Sequence, residues 1–227
     1  MLVKIHSYRF ELLLVSQIAI LFGSLVTPAN IFNMLSPFLF YLNIVAGSLF
    51  IGNYKKGSIL ILLFILLVIG GVFAMANDNE ASLFNYIKFA VLFLFHLIVT
   101  FNIIKQIWKA KFVNKNVILG LISGFVALGL IGFFVCLSIE IVHPGSFSGI
   151  ELNKATENTI TERLMYYSYI TLMTIGYGDI LPLTLIAQKA TILIGLIGQF
   201  YLVIVTAIVV GKFINQSQVS TQESENK

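Results

Sequence analysis

Apolar residues run along this chain in six stretches, roughly 9–26, 31–52, 57–76, 82–107, 116–142 and 184–213. Each is long enough to cross a bilayer as a helix, which takes about 20 residues. Between the last two lies a shorter apolar piece, 162–173. It is too short to cross and predicts a half-helix that enters and leaves the membrane on one side. The expected fold class is therefore an all-α membrane protein: six transmembrane helices plus a reentrant helix and its loop.

Composition supports this reading. Of the 227 residues 58% are hydrophobic and only 11% charged, where a soluble domain carries about a quarter charged. Four prolines and short loops leave little room for a separate soluble domain. The net charge of +4 does not point to nucleic acid, because the basic residues sit in short loops and form no stripe. Cys136 is the one cysteine, so no intrachain disulfide is possible.

Charge does set an orientation. Lys4 and Arg9 precede the first stretch, and Lys55 and Lys56 separate the second from the third. Lys105, Lys109, Lys111 and Lys115 separate the fourth from the fifth, and Lys212 and Lys227 follow the sixth. The opposite loops carry Asp78, Glu80, Glu151, Glu157 and Asp179, with Lys154 as a lone loop lysine. Positive loops stay inside, which predicts cytoplasmic termini in a plasma membrane, of bacterial inner-membrane type. The first stretch exceeds the 7–15 residues typical of a signal-peptide core and lacks a clear small-residue cleavage site. It is expected to be retained.

The short piece leads into Met173-Thr174-Ile175-Gly176-Tyr177-Gly178-Asp179-Ile180. Small and large residues alternate around two glycines, and glycine reaches the positive-φ region that Ile or Tyr finds strained. A half-helix ending here, with Glu162 and Arg163 in its first turn, offers the partial negative charge of its C-terminus to a cation. The segment resembles the selectivity-filter signature of the potassium-channel superfamily, and the likeness extends over 116–213 as outer helix, turret (143–161), pore helix, filter and inner helix.

The resemblance implies a tetrameric pore, a homotetramer of chains, because one chain offers one loop and the carbonyl rings need four. It implies K⁺ sites formed by the hydroxyl and carbonyl of Thr174 and the carbonyls of Ile175, Gly176 and Tyr177. Gly178 would permit the turn to the mouth and Asp179 would anchor it. Tyr166 and Tyr167 take the place of the paired aromatics that brace the filter, and Glu140 would hold the pore loop by accepting from backbone amides. Gly198, nineteen residues after Asp179, stands where a gating hinge is often found; close helix packing is an equal alternative. Thr206, two turns further inward, is expected to face the conduction path.

The implied function is passive, K⁺-selective permeation, with the filter mouth extracellular. The alternatives are a weakly selective monovalent cation channel or a non-conducting regulatory subunit that keeps the pore fold. No Ser/His pair, metal-spaced His/Cys set or glycine-rich nucleotide loop suggests an enzyme, and no cofactor beyond permeant K⁺ is implied.

The first four stretches, 1–104, depart from the voltage-gated pattern. Gating requires Arg or Lys at every third position of the fourth span. Between Lys88 and Lys105 those positions hold Val91, Leu94, Leu97, Thr100 and Ile103. A non-sensing scaffold is expected, with His96 as a neutral interhelical residue. The connector 105–115 mixes Ile107, Trp108, Phe112 and Val113 with lysines. That suits an interfacial helix whose lysines meet anionic lipid headgroups. The polar tail, 214–227, is expected to be disordered and too short for a ligand-binding regulatory domain.

Overall fold

A computed structural model describes residues 8–48, 81–110, 112–150 and 157–225. These are helical throughout, with no strand beyond a single bridge between Phe147 and Pro182. The helices are α1 (Arg9–Val26), α2 (Ala29–Ser48), α3 (Ala81–Lys109), α4 (Lys115–Val142), α5 (Glu157–Leu172), α6 (Leu185–Phe200) and α7 (Thr206–Glu225). One π-helical turn, Tyr201–Val205, joins α6 to α7. Among the described residues four helical segments are long and apolar enough to cross a membrane: Arg9–Val26, Ala90–Lys109, Lys115–Val142 and Leu185–Gln218. The protein is an all-α membrane protein. The expected span at 57–76 lies outside the described residues.

The chain divides into two compact units, Met1–Asn102 and Ile103–Lys227. In the first, α1 and α2 form a hairpin through Thr27 and Pro28. Thr27 closes α1 by giving its backbone N–H and its hydroxyl to the Gly23 carbonyl. Gly23 matters because the Phe32 ring fills the space a Cβ would need, at 2.6 Å. Ser16 and Asn43 are buried between these helices and bond to each other at 2.9 Å. On α3, Phe95 and Val99 pack against Gly47. His96 is buried beside Phe95, its Nδ1 on the Leu92 carbonyl at 2.8 Å.

In the second unit α4 starts at Asn114, whose side chain accepts from the Val117 amide at 3.1 Å. Its glycines form a face against which hydroxyl side chains close. Tyr201 lies over Gly124, Tyr169 over Gly129 and Ser168 beside Gly132. Each hydroxyl donates to an α4 carbonyl: Tyr201 to Leu121 at 2.6 Å, Tyr169 to Val126 at 2.6 Å and Ser168 to Gly129 at 2.8 Å. Small residues let helices approach closely in a membrane. Here they also bring side-chain donors to backbone acceptors, where no water competes for them.

Three boundaries differ from expectation. The helix α5 is already helical at Glu157, ahead of the expected 162, so Glu162 and Arg163 stand beyond its first turn. The connector is not a separate interfacial helix. Residues 105–109 continue α3, because Ile103 and Ile107 extend its buried stripe at 0% and 2% exposure. Nor is 214–227 a disordered tail over its described length: α7 runs to Glu225. A helix already nucleated upstream gains one bond for each further residue fixed, and no Pro or Gly follows Gly211 to stop it.

Candidate functional site

The candidate filter segment, Thr174 to Asp179, leaves the end of α5 in a tight backbone crossing. The Thr174 amide donates to the Thr171 carbonyl at 3.0 Å, and the Ile170 carbonyl accepts from Ile175 at 2.8 Å and Gly176 at 3.3 Å. The last turn of the pore helix thus holds the first half of the filter. Thr174, Gly176 and Gly178 have positive φ (59°, 55° and 81°), whereas Ile175 and Tyr177 do not. Alternation of φ sign turns successive peptide planes the same way, in place of the alternation of an ordinary strand. Two of these positions are glycines, for which this conformation carries no Cβ penalty. Thr174 adopts it against the preference of a β-branched residue.

The far end of the filter is tied to the turret. Glu140, at the end of α4 and 4% exposed, accepts from the amides of Gly145 at 2.7 Å and Phe147 at 3.2 Å. Two N–H donors solvate a carboxylate that lipid would leave bare. The turret thus fixed pairs with the segment after the filter. Ser148 N–H donates to Leu181 O at 2.9 Å, and Leu183 N–H donates to Ser146 O at 2.7 Å. Thr184 then starts α6, its hydroxyl bonded to Ser146 at 3.1 Å and accepting from the Ala187 amide. Arg163 reaches the Gly149 carbonyl. Glu140 therefore acts two steps away, through turret amides and not through those of the inner helix.

Behind the filter, Tyr167 is 3% exposed, its ring 5.1 Å from that of Phe147 and its hydroxyl 2.6 Å from Thr191 Oγ1. Tyr166 is exposed, with the Asp179 carboxylate near its hydroxyl. The two tyrosines differ in place: Tyr167 ties α5 to α6, and Tyr166 lies beside Asp179.

Gly198 packs face to face with the end of the pore helix, where a Cβ would collide with the Leu172 carbonyl oxygen. This is a close-approach glycine, and the irregularity in the inner helix falls three residues later, at the π turn. At the inner end Lys212 Nζ donates to the carbonyls of Ile107 at 3.3 Å and Trp108 at 2.6 Å. A cation there meets the negative end of α3. The Val113 amide donates to Gln216 Oε1 at 2.9 Å. Lys105, Lys109 and Lys115 are exposed, and Lys111 lies outside the described residues.

Sequence alone does not single out Ser168, Tyr169, Gln199 or Tyr201, because a hydroxyl or amide in an apolar helix says nothing of its partner. The signal available was the glycine spacing on α4, Gly120, Gly124, Gly129 and Gly132, which marks a face able to receive large side chains. Among the described residues no cluster of His, Cys, Asp or Glu is arranged to hold a metal.

Met173 to Asp179 are all exposed in the single chain, Ile175 by 47% and Tyr177 by 71%. An exposed loop of this kind, held by backbone hydrogen bonds between α5 and α6, has the form of a channel's pore loop. Residues 121–215 match the model of a protein family described as "Ion channel", which supports an ion-channel family for this chain over rather less than half its length. No curated protein and no solved structure matches it.

Proposed function

We propose that this protein is a K⁺-selective channel whose pore is completed by four copies of the chain, and that it conducts K⁺ passively down its electrochemical gradient. The observation that carries the reading is the alternation of positive φ at Thr174, Gly176 and Gly178 within the string Thr-Ile-Gly-Tyr-Gly-Asp. It allows the carbonyls of Thr174, Ile175, Gly176 and Tyr177 to line one side of the loop. Four such loops about an axis would replace the hydration shell of a bare cation. The exposure of Ile175 and Tyr177 supports assembly, since a single chain leaves them uncovered.

In this reading the charged loops set both termini in the cytoplasm of a plasma membrane, with the filter mouth outside. Anionic headgroups would meet Lys105, Lys109, Lys111 and Lys115. Steep voltage gating is not part of the proposal, because the fourth span carries no regularly spaced cations and His96 is buried on its own helix carbonyl.

Purified protein in liposomes, loaded with K⁺ or Na⁺ and read by flux and reversal potential, tests this directly. K⁺ flux well above Na⁺ flux, with shallow voltage dependence, is expected. Equal fluxes would replace K⁺ selectivity with weak monovalent selectivity. No flux from the wild-type protein would leave a non-conducting subunit.

A further inference from the structure

From Ile192 to Val205 the inner helix presents Ile, Leu, Val and Phe with two long polar exceptions, Tyr201, whose hydroxyl is turned to the Leu121 carbonyl of α4, and Gln199. Its exposed neighbours Leu193, Leu196, Phe200 and Val203 suit lipid or another apolar surface. A primary amide does not. Polar groups within a membrane span are costly and mark function by default.

Gln199 has a partner in the filter. Its Nε2 donates to Thr174 Oγ1 at 3.3 Å. The preceding residue explains why it can reach. Gly198 lacks the Cβ that would strike the Leu172 carbonyl, so the inner helix meets the end of the pore helix backbone to backbone. The next side chain then lies against the first residue of the filter.

We propose that Gln199 is a positioning residue for the innermost cation site, acting through the Thr174 hydroxyl. This rests on the channel reading above. A hydroxyl has one proton and two lone pairs. With one lone pair taken by the amide, rotation about the Thr174 side chain is fixed and the second lone pair is left for a cation. Thr174 already holds a strained positive φ, and the amide tethers its side chain in the orientation this backbone imposes. In a fourfold assembly, four such amides would hold four hydroxyls at one level.

Barium, a dication close to K⁺ in size, applied from the cytoplasmic side of reconstituted protein, reports on the oxygen ligands at that end. Gln199→Leu keeps the bulk and removes the donor. It is expected to weaken barium block at least about three- to tenfold, the range one net hydrogen bond spans, since every chain of the assembly loses its bond. Gln199→Asn, one methylene shorter, is expected to do the same. In a Thr174→Val background the Gln199→Leu change should have no further effect, since its partner is gone.

Unchanged block in either Gln199 variant would overturn the proposal, as would an equal loss in the Thr174→Val background. Should Thr174→Val not assemble, the two Gln199 variants decide the question between them. A wild-type protein that passes no K⁺ refutes the channel reading instead, so the two failures are separable.

Discussion

Gly129→Ala should be among the most damaging single-methyl additions in the pore unit. A Cβ at this position would fall within the Tyr169 ring, overlapping Cε1 and Cζ and lying 2.6 Å from Cδ1. Carbon atoms prefer about 3.5–4.0 Å, so the ring must withdraw by roughly 1 Å or more. It cannot do so by simple rotation, because its hydroxyl is held on the Val126 carbonyl at 2.6 Å. Overpacking of this kind costs about 1–3 kcal/mol, and losing the tyrosine's bond adds about 1 kcal/mol. Against this, Gly to Ala in a helix returns about 1 kcal/mol. The net loss is about 1–3 kcal/mol, placed where the pore helix seats on α4.

Thermal unfolding in detergent, followed by tryptophan-independent circular dichroism, together with K⁺ flux in liposomes, measures it. The expected result is a lowered midpoint and reduced flux, with partial recovery on adding Tyr169→Ala, which clears the space. A Gly129→Ala protein as stable and as conductive as wild type would refute the reasoning, as would a Tyr169→Ala change that deepens the defect.

Three further outcomes follow from the same contacts. Glu140→Gln replaces a carboxylate that accepts two amides with a group having one acceptor, and should destabilise the turret by about 2 kcal/mol, seen as faster amide exchange at Gly145 and Phe147. Tyr201→Phe removes the bond to Leu121 but keeps the ring, and should cost about 1 kcal/mol in the detergent melt without abolishing flux. Lys212→Met removes a cation from the negative end of α3 and should loosen it by about 0.3–1 kcal/mol. Hydrogen exchange at Ala110 and Val113 reads this, and Lys212→Arg should preserve protection.

Much of the pore unit is legible in sequence because lipid enforces a simple rule: apolar runs must be helices of a set length. The edges of α1 and α4 follow the hydrophobic blocks closely for that reason. The filter is legible because only glycine takes positive φ without cost, so two glycines at alternate positions nearly write out the backbone. The positive φ of Thr174 was not, since no residue type announces that strain. The reach of α7 was hidden because Gln, Ser and Glu are common in disordered tails, and composition does not reveal that a helix is already running. Contacts from tyrosine hydroxyls to α4 carbonyls stayed invisible because they depend on which faces meet, and glycine spacing tells only that some face is open.

The π turn at Tyr201–Val205 also changes how the inner helix is to be counted. An α-helix advances about 100° per residue, and a π turn accommodates one residue more than an α turn. Everything beyond Val205 is therefore out of phase with Gln199 by about that angle. Counting seven residues from Gln199 along an unbroken helix arrives at Thr206, yet Thr206 is half-buried and it is Ala207 that stands exposed. The inner half of the helix behaves as though a single residue had been inserted into its history. Deleting one residue between 201 and 205 would shorten the helix by a trivial length and swing an entire face of it to a different neighbour.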